Sequence, residues 1–413
     1  MPGTPQRIVI IGAGQAGGQA AYSLRLGGFE GAITLIGDEP QPPYQRPPLS
    51  KAYFKGELEA DRLFLKPLEY YADHAVDLKT GVRAERIDLD ARTVELDTGA
   101  ALPWDKLIIA TGSRPRRLAV EGAELGGVLE LRTLKDVDLL KKAAFPGARL
   151  VVVGAGYIGL EAAAVASQLG LKVIVLEAMP QVLSRVAGPE IGQFYSQVHR
   201  AAGVDIRTGA RLEAFEGAGL VTGVRLAGGE VLSADIVLVG VGVLPNMELA
   251  DEAGLVCGNG IAVDGEMRTS DPDVYAIGDV AWRPLVHYGR EGRLESVHNA
   301  IEGGKIAAAS ILGARPPTLE APWFWSDQYD LKLQTAGLWT GADERVMRGD
   351  PQSRSFAVFY LKEGRVIAVD AVNAAPEYLV GKKLVAAMAT VAPAELADKS
   401  ISMKEIGARA LSQ

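Results

Sequence analysis

A duplicated strand, glycine turn and helix constrain this chain more than any other feature. Arg7-Ile-Val-Ile-Ile-Gly-Ala-Gly-Gln-Ala-Gly17 returns as Arg149-Leu-Val-Val-Val-Gly-Ala-Gly-Tyr-Ile-Gly159, 142 residues on. Each copy then runs through an alanine-rich stretch predicted to be helical, Gly18 to Leu26 and Leu160 to Leu169. A second apolar run follows in each, Ile33-Thr-Leu-Ile36 and Val173-Ile-Val-Leu176. Unalternated β-branched runs belong to strands buried on both faces. Each copy therefore reads as a βαβ unit. A repeat spaced this widely is a duplicated domain rather than a solenoid.

The echo extends past the glycine turns. Asp88 to Asp97 reads as a hairpin turning at Asp90-Ala91-Arg92, and the apolar run Lys106 to Ala110 after it ends in Thr111-Gly112. After the second copy, Val224 to Leu232 reads as a hairpin around Gly228-Gly229, and Asp235 to Val239 ends in Gly240-Val-Gly242. Val274 to Asp279 is a further short strand ending in Gly-Asp, and the proline-rich Arg315 to Pro322 reads as a linker. Beyond it, alternation in Ser355–Leu361 and Arg365–Val369 predicts an antiparallel sheet, with helices near Glu377–Val391 and Ser402–Leu411. The expected class is α/β: two Rossmann-like dinucleotide-binding domains of the glutathione-reductase type plus a C-terminal α+β domain. The expected boundaries are 1–113 with 246–322, 114–245, and 323–413.

Composition removes several function classes. A single cysteine, Cys257, excludes an internal disulfide, a cysteine zinc site, an iron–sulfur cluster held by cysteines and a dithiol mechanism within the chain. Four histidines make a His-rich metal site a poor expectation, so no metal site is assigned. The net charge of −8 argues against general nucleic-acid binding. The longest apolar runs fall far short of the roughly 20 residues of a membrane span, and no signal-peptide pattern appears. A cytoplasmic protein is expected.

The glycine spacing has a physical meaning. In Gly12-x-Gly14-x-x-Gly17 the first glycine allows the tight turn, the second admits a pyrophosphate close to the backbone, and the third lets helix pack on strand. The helix N-terminus offers N–H groups and a partial positive charge to phosphates. An acidic residue should end the second strand and bind ribose hydroxyls; Asp38 and Glu39 stand there. The second copy offers Gly154, Gly156, Gly159 and Glu177. Two such sites most simply mean two dinucleotides, a bound flavin and a diffusing nicotinamide. Glu177 is followed by Ala178-Met179-Pro180, with no basic residue for a 2′-phosphate, which favours NADH over NADPH.

Narrower motifs carry a resemblance. Tyr44-Gln-Arg-Pro-Pro-Leu-Ser-Lys51, Arg132-Thr-Leu, Gly154 to Glu161, Asp271 to Asp279, Glu295-Ser-Val-His-Asn-Ala300 and Ala321-Pro-Trp-Phe-Trp-Ser-Asp-Gln-Tyr329 run nearly end to end. With these the chain resembles the FAD-dependent, NADH-using ferredoxin reductases of bacterial oxygenase systems. The resemblance implies FAD contacts at Ala16, Asp38, Arg46, Lys51, Val82, Arg132, Asp279 and Val297. Thr111-Gly112 and Gly242 would let backbone run close to each cofactor. It also implies a pair, Lys51 with Glu161, near the reacting flavin edge, where a cation stabilises the reduced flavin's negative charge. Trp323 and Trp325, two apart, share a strand face; the family places this pair by the flavin, with Trp325 favoured for partner contact. His298 is read as a satisfied, partly buried side chain.

The implied partner is an acidic 2Fe–2S ferredoxin and, through it, an oxygenase of the haem or Rieske type. Residues 323–413 carry 11 basic and 11 acidic side chains, so the net charge lies elsewhere in the chain. Lys305, Lys332, Lys382, Lys383, Lys404 and Arg409 are candidates for a local docking patch. A monomer or weak dimer is expected. One rival, a thiol-dependent reductase on the same fold, needs a cysteine near residues 40–55, and none is present. Others are a partner-binding flavoprotein resembling apoptosis-inducing factor and a reductase of small organic acceptors.

Overall fold

Uninterrupted apolar strands can only be hidden inside a sheet covered on both faces, and two such sheets form. The computed structural model describes residues 5–412. It divides into two compact units. The first comprises the chain up to Gln45, Asp61–Arg114 and Leu244–Glu320; the second comprises Arg46–Ala60, Pro115–Val243 and the chain from Ala321.

In the first unit five parallel strands run in the order Val274–Ala276, Lys106–Ile109, Arg7–Ile11, Ala32–Gly37, Val76–Thr80. Ile11 is level with both Ile36 and Ile109, so the strand ends carrying the turns are aligned. Ile10, Leu35, Leu107 and Ile108 are wholly buried. Each such side chain contributes roughly 1.5–3 kcal/mol of burial. Small residues let the helices Gln15–Leu26 and Val297–Ile311 lie against each other: a Cβ on Gly304 would sit 3.0 Å from the Ala20 nitrogen. The expected hairpin is present as Ala84–Asp88 with Thr93–Leu96, extended by Ala101–Pro103.

The second unit repeats the plan, with parallel strands in the order Asp205–Thr208, Lys172–Glu177, Arg149–Val153, Ile236–Val239, Val128–Leu129. Its hairpin pairs Leu220–Leu226 with Val231–Ser233. The C-terminal residues add a five-stranded antiparallel sheet, ordered Trp323–Gln328, Leu331–Gly337, Arg365–Val372, Ser355–Lys362, Glu344–Asp350.

Three local expectations shift. Both glycine-turn helices begin three residues earlier than read, at Gln15 and Tyr157, because the last residues of the turn already take helical conformation. The helix expected over Glu377–Val391 covers Ala375–Ala386 instead, and a separate short helix covers Pro393–Ala397. The two central C-terminal strands are buried on both faces rather than alternately. Phe194 of the helix Pro189–Ala201 meets Phe356 edge-on at 5.0 Å, and Gly381 brings the helix Ala375–Ala386 close to Val369. Among the described residues no helix is long and apolar enough to cross a membrane.

Candidate functional site

The first unit gathers most of the flavin-directed residues around its glycine turn. Gly12 has φ +112°, and a Cβ there would lie 2.2 Å from the Ala110 carbonyl oxygen. A Cβ on Gly17 would lie 2.0 Å from the Gly12 oxygen. Both glycines are therefore demanded by backbone. Gly14 differs, because a Cβ there meets nothing within 4 Å. It opens the helix Gln15–Leu26 without a side-chain cap and with no acid in the first turn, whereas Ser296 caps the helix that starts at Val297. An uncapped helix end beside open space is the arrangement that receives a phosphate.

Ala16 stands against Gly278, whose Cβ would come within 2.9 Å of the alanine methyl. That contact sets Asp279 beside the turn, and the Ser113 hydroxyl donates to its carboxylate at 2.8 Å. Asn299 fixes the same corner by donating to the Gly278 carbonyl at 3.1 Å. Asp38 is exposed one residue past its strand, 3.6 Å from Arg83. Glu39 instead accepts the Tyr44 hydroxyl at 2.5 Å. The Val82 N–H is already donated to Gly37 at 2.9 Å, so a backbone contact from Val82 would use its carbonyl. Thr111 is partly committed to structure: its hydroxyl donates to the Asn246 carbonyl at 2.6 Å.

The second unit repeats the cradle. A Cβ on Gly154 would meet the Gly240 oxygen at 2.4 Å, and one on Gly159 the Gly154 oxygen at 2.1 Å. Gly156 faces open space at the uncapped start of the helix Tyr157–Gln168. The Glu177 carboxylate accepts the N–H groups of Ala155 and Met179, each at 2.8 Å, and so braces the turn from the strand end. Gly242 has φ +107°, and the Arg185 guanidinium stands over it, 3.1 Å from where a Cβ would be. The sequence reading missed Arg185; the available signal was a basic residue eight positions past the strand-end acid.

Lys51 and Glu161 are 110 residues apart and meet directly. The Lys51 ammonium donates to Glu161 Oε2 at 2.6 Å and to the Pro47 carbonyl at 3.1 Å. Pro47-Pro48 begin a 3-10 turn over Pro47–Ser50, and a helical turn follows over Ala52–Lys55, which leaves Lys51 at the break. Glu161 is only 3% exposed, so its charge needs partners. Two further donors supply them, and neither was anticipated: Ser50 Oγ reaches Oε2 at 2.5 Å and Ser326 Oγ reaches Oε1 at 2.6 Å. Arg46 donates to the Arg132 carbonyl at 2.7 Å, and a Thr133–Asp136 capping box holds that loop. Trp323 and Trp325 do share a face, with ring centroids 5.7 Å apart, and the Lys382 ammonium lies 5.2 Å from the Trp323 ring. Arg409 is engaged with Glu395 at 2.7 Å, whereas Lys305, Lys383 and Lys404 are exposed. Cys257, in the first unit, is half-buried, and burial pushes its thiol pKa up, away from the reactive thiolate.

The donors and the open space above Gly14 and Gly156 fit two dinucleotides. Comparison with known proteins agrees. Residues 6–304 match the family model described as pyridine nucleotide-disulphide oxidoreductase, and residues 323–407 match the one described as reductase C-terminal. The chain is 44% identical over 403 residues to the ferredoxin reductase subunit of 5,5′-dehydrodivanillate O-demethylase from Sphingobium sp., covering 97% of this chain and 98% of that one. It is 42% identical over 409 residues to putidaredoxin reductase of Pseudomonas putida, covering 98% and 97%. The reductase in the crystal structure of the covalent putidaredoxin reductase–putidaredoxin complex superimposes with a TM-score of 0.97, at 42% identity and 99% coverage of both chains.

Proposed function

The chain belongs to the pyridine nucleotide-disulphide oxidoreductase family, and on that premise we propose that it is an NADH-dependent, FAD-containing reductase of a 2Fe–2S ferredoxin that serves an oxygenase. The relatives support this reading, since their names describe ferredoxin reductases of an O-demethylase and of putidaredoxin. The observation that carries it is the position of the Lys51–Glu161 pair. Glu161 stands on the helix whose uncapped start forms the second glycine cradle, so one helix would serve both a dinucleotide phosphate and a half-buried cation.

Bound FAD would supply the exchange between the hydride of NADH and the single electrons a ferredoxin takes up. The chain supplies position and charge. Gly12, Gly14, Ala16, Gly17, Asp38, Arg46, Lys51, Val82, Thr111, Gly112, Arg132, Asp279, Val297 and Trp325 are assigned to FAD. Gly154, Gly156, Gly159, Glu177 and Gly242 are assigned to NADH, and Arg185 joins them. The domain assignment follows: 1–113 with 246–322 for FAD, 114–245 for NADH, and 323–413 as the C-terminal domain. Lys51 holds a positive charge for the reduced flavin, and Glu161 holds Lys51. No protein acid or base is required for hydride transfer. The reading places the protein in the cytoplasm, where NADH is available, and gives it an acidic ferredoxin as partner.

The test is steady-state reduction of an added acidic 2Fe–2S ferredoxin by NADH at several salt concentrations. Fast turnover that falls steeply with salt is expected. Rapid flavin reduction with turnover of quinones but of no ferredoxin would overturn the reading in favour of a small-acceptor reductase.

A further inference from the structure

The strand Trp323–Gln328 has two faces. Trp323 and Trp325 occupy one, and Phe324, Ser326 and Gln328 the other. The second face points into the interior of its unit. Phe324 stacks on Tyr157 at 4.6 Å, while Ser326 and Gln328 are buried polar residues at 0% and 1% exposure. Buried polar groups in a β-strand cost stability unless they are paired. These two are paired to each other and onward. Gln328 Nε2 donates to Ser326 Oγ at 3.1 Å, and Ser326 donates to Glu161. At its other end Gln328 Oε1 lies 2.8 Å from Nε2 of His199, which is wholly buried. His199 Nδ1 in turn lies 3.1 Å from the Tyr329 hydroxyl.

The donor directions can be deduced. The Gln328 amide nitrogen is committed to Ser326, so its oxygen faces His199 and must accept. Nε2 therefore carries the proton, Nδ1 is left as an acceptor, and the Tyr329 O–H donates to it. Every bond in the series Tyr329, His199, Gln328, Ser326 then points the same way, toward one carboxylate. Bonds aligned in this manner polarise one another. Burial lowers the His199 pKa to about 4, which agrees with a neutral ring. Tyr329 is also held in an unusual backbone conformation. It is the first of two residues joining the paired Gln328 and Leu331, and it has φ +57°, where glycine or asparagine is usual. The hydroxyl bond and an edge-on ring contact to His199 at 5.1 Å hold it there.

We propose that Ser326, Gln328, His199 and Tyr329 are positioning residues that fix the Glu161 carboxylate and, through it, the Lys51 ammonium in the arrangement used in flavin reduction. The proposal rests on the reading of Lys51 and Glu161 given above. It predicts that loss of the Ser326 hydroxyl frees Oε1, lets Glu161 turn toward Lys51 and weakens the positive charge available to the reduced flavin.

The test uses the FAD-loaded protein. Ser326→Ala should slow single-turnover flavin reduction at saturating NADH by about three- to tenfold, with Tyr329→Phe giving a smaller loss. In Ser326→Ala the affinity for NADH should be unchanged and the flavin midpoint potential should fall. Ser326→Thr, which restores the hydroxyl, should recover both rate and potential. Nitrogen-15 NMR of the His199 ring should show the neutral Nε2–H form at neutral pH, with the Nδ1 signal moved by Tyr329→Phe. An Nδ1–H form or an imidazolium would overturn the proposal. Wild-type rates and potentials in Ser326→Ala and Tyr329→Phe, beside a slowed Glu161→Gln, would overturn it and leave the Lys51–Glu161 reading standing. Wild-type reduction in Glu161→Gln and Lys51→Met would remove both.

Discussion

Replacing Gly156 by alanine separates a glycine required by a ligand from one required by the fold. Gly156 has φ −78° and ψ −174°, a conformation open to any residue, and its added Cβ meets nothing within 4 Å. At a helix N-cap, alanine is worse than glycine by about 0.5–1 kcal/mol. Against this, removing a glycine from the unfolded chain gains about 0.4–1 kcal/mol. The two nearly cancel, so the apoprotein should melt within about 2 °C of wild type. If a dinucleotide phosphate occupies the open space, the methyl crowds it at a cost of about 1–3 kcal/mol, a rise in the KM for NADH of about 5- to 150-fold. Gly159→Ala is the control. Its Cβ would lie 2.1 Å from a backbone oxygen and 3.3 Å from a Val152 methyl, so the fold itself should fail. Thermal denaturation gives the first quantity and steady-state kinetics with saturating ferredoxin the second. An unchanged KM with an unchanged melting temperature would refute the assignment of that space to a phosphate.

Lys51→Met should retain FAD, because Glu161 keeps its two serine donors. It should slow flavin reduction by NADH about 10- to 100-fold, and unchanged stopped-flow kinetics would remove the role. Glu177→Ala unpairs the amides of Ala155 and Met179 and removes the charge that repels a 2′-phosphate. The ratio of kcat/KM for NADH to that for NADPH should drop about tenfold; a constant ratio would refute the basis given for NADH preference. Asp370→Asn tests the buried hydrogen bond from the Tyr360 hydroxyl, 2.7 Å long. Burial raises the Asp370 pKa to about 7, so its contribution to stability is complete below pH 4 and lost as pH rises through 7. His199, lowered to about 4, acts oppositely, with stability lost as pH falls from about 6.5 toward 4. The two nearly offset in wild type. In the asparagine variant the histidine slope should emerge, and the variant should gain on wild type by up to about 4 kcal/mol between pH 4 and pH 7 in denaturant titrations. A difference independent of pH would contradict the assigned burial of the charge.

The placement of Ser326 shows where sequence reading stopped. Trp323 and Trp325 were legible as one strand face because the period of two is local. The opposite face, Phe324, Ser326 and Gln328, carries no chemistry on its own, since a serine and a glutamine on a strand ordinarily meet solvent. What gives them meaning is Glu161, 165 residues away. The two-sided burial of Ser355–Lys362 escaped notice for a related reason. Ala357 and the hydroxyl-bearing Tyr360 do not by themselves show that a second layer covers that strand. Arg185 stood in plain sight, but its position over Gly242 depends on how the chain returns after the strand Lys172–Glu177.

The duplicated glycine turns, by contrast, follow from sequence alone. A backbone oxygen at 2.0–2.4 Å from the site of a Cβ admits no other residue at Gly12, Gly17, Gly154 or Gly159, so the requirement is written as identity at fixed spacing. Apolar runs without alternation likewise specify strands buried on both faces. The sequence thus determined two dinucleotide folds and their cradles, because those rest on local sterics and on hydrophobic period. Tertiary structure decided the environment of the Lys51–Glu161 pair. Its donors come from two separated segments and meet a carboxylate on a third, and a buried charge can be satisfied by any hydroxyl that the packing happens to bring within reach.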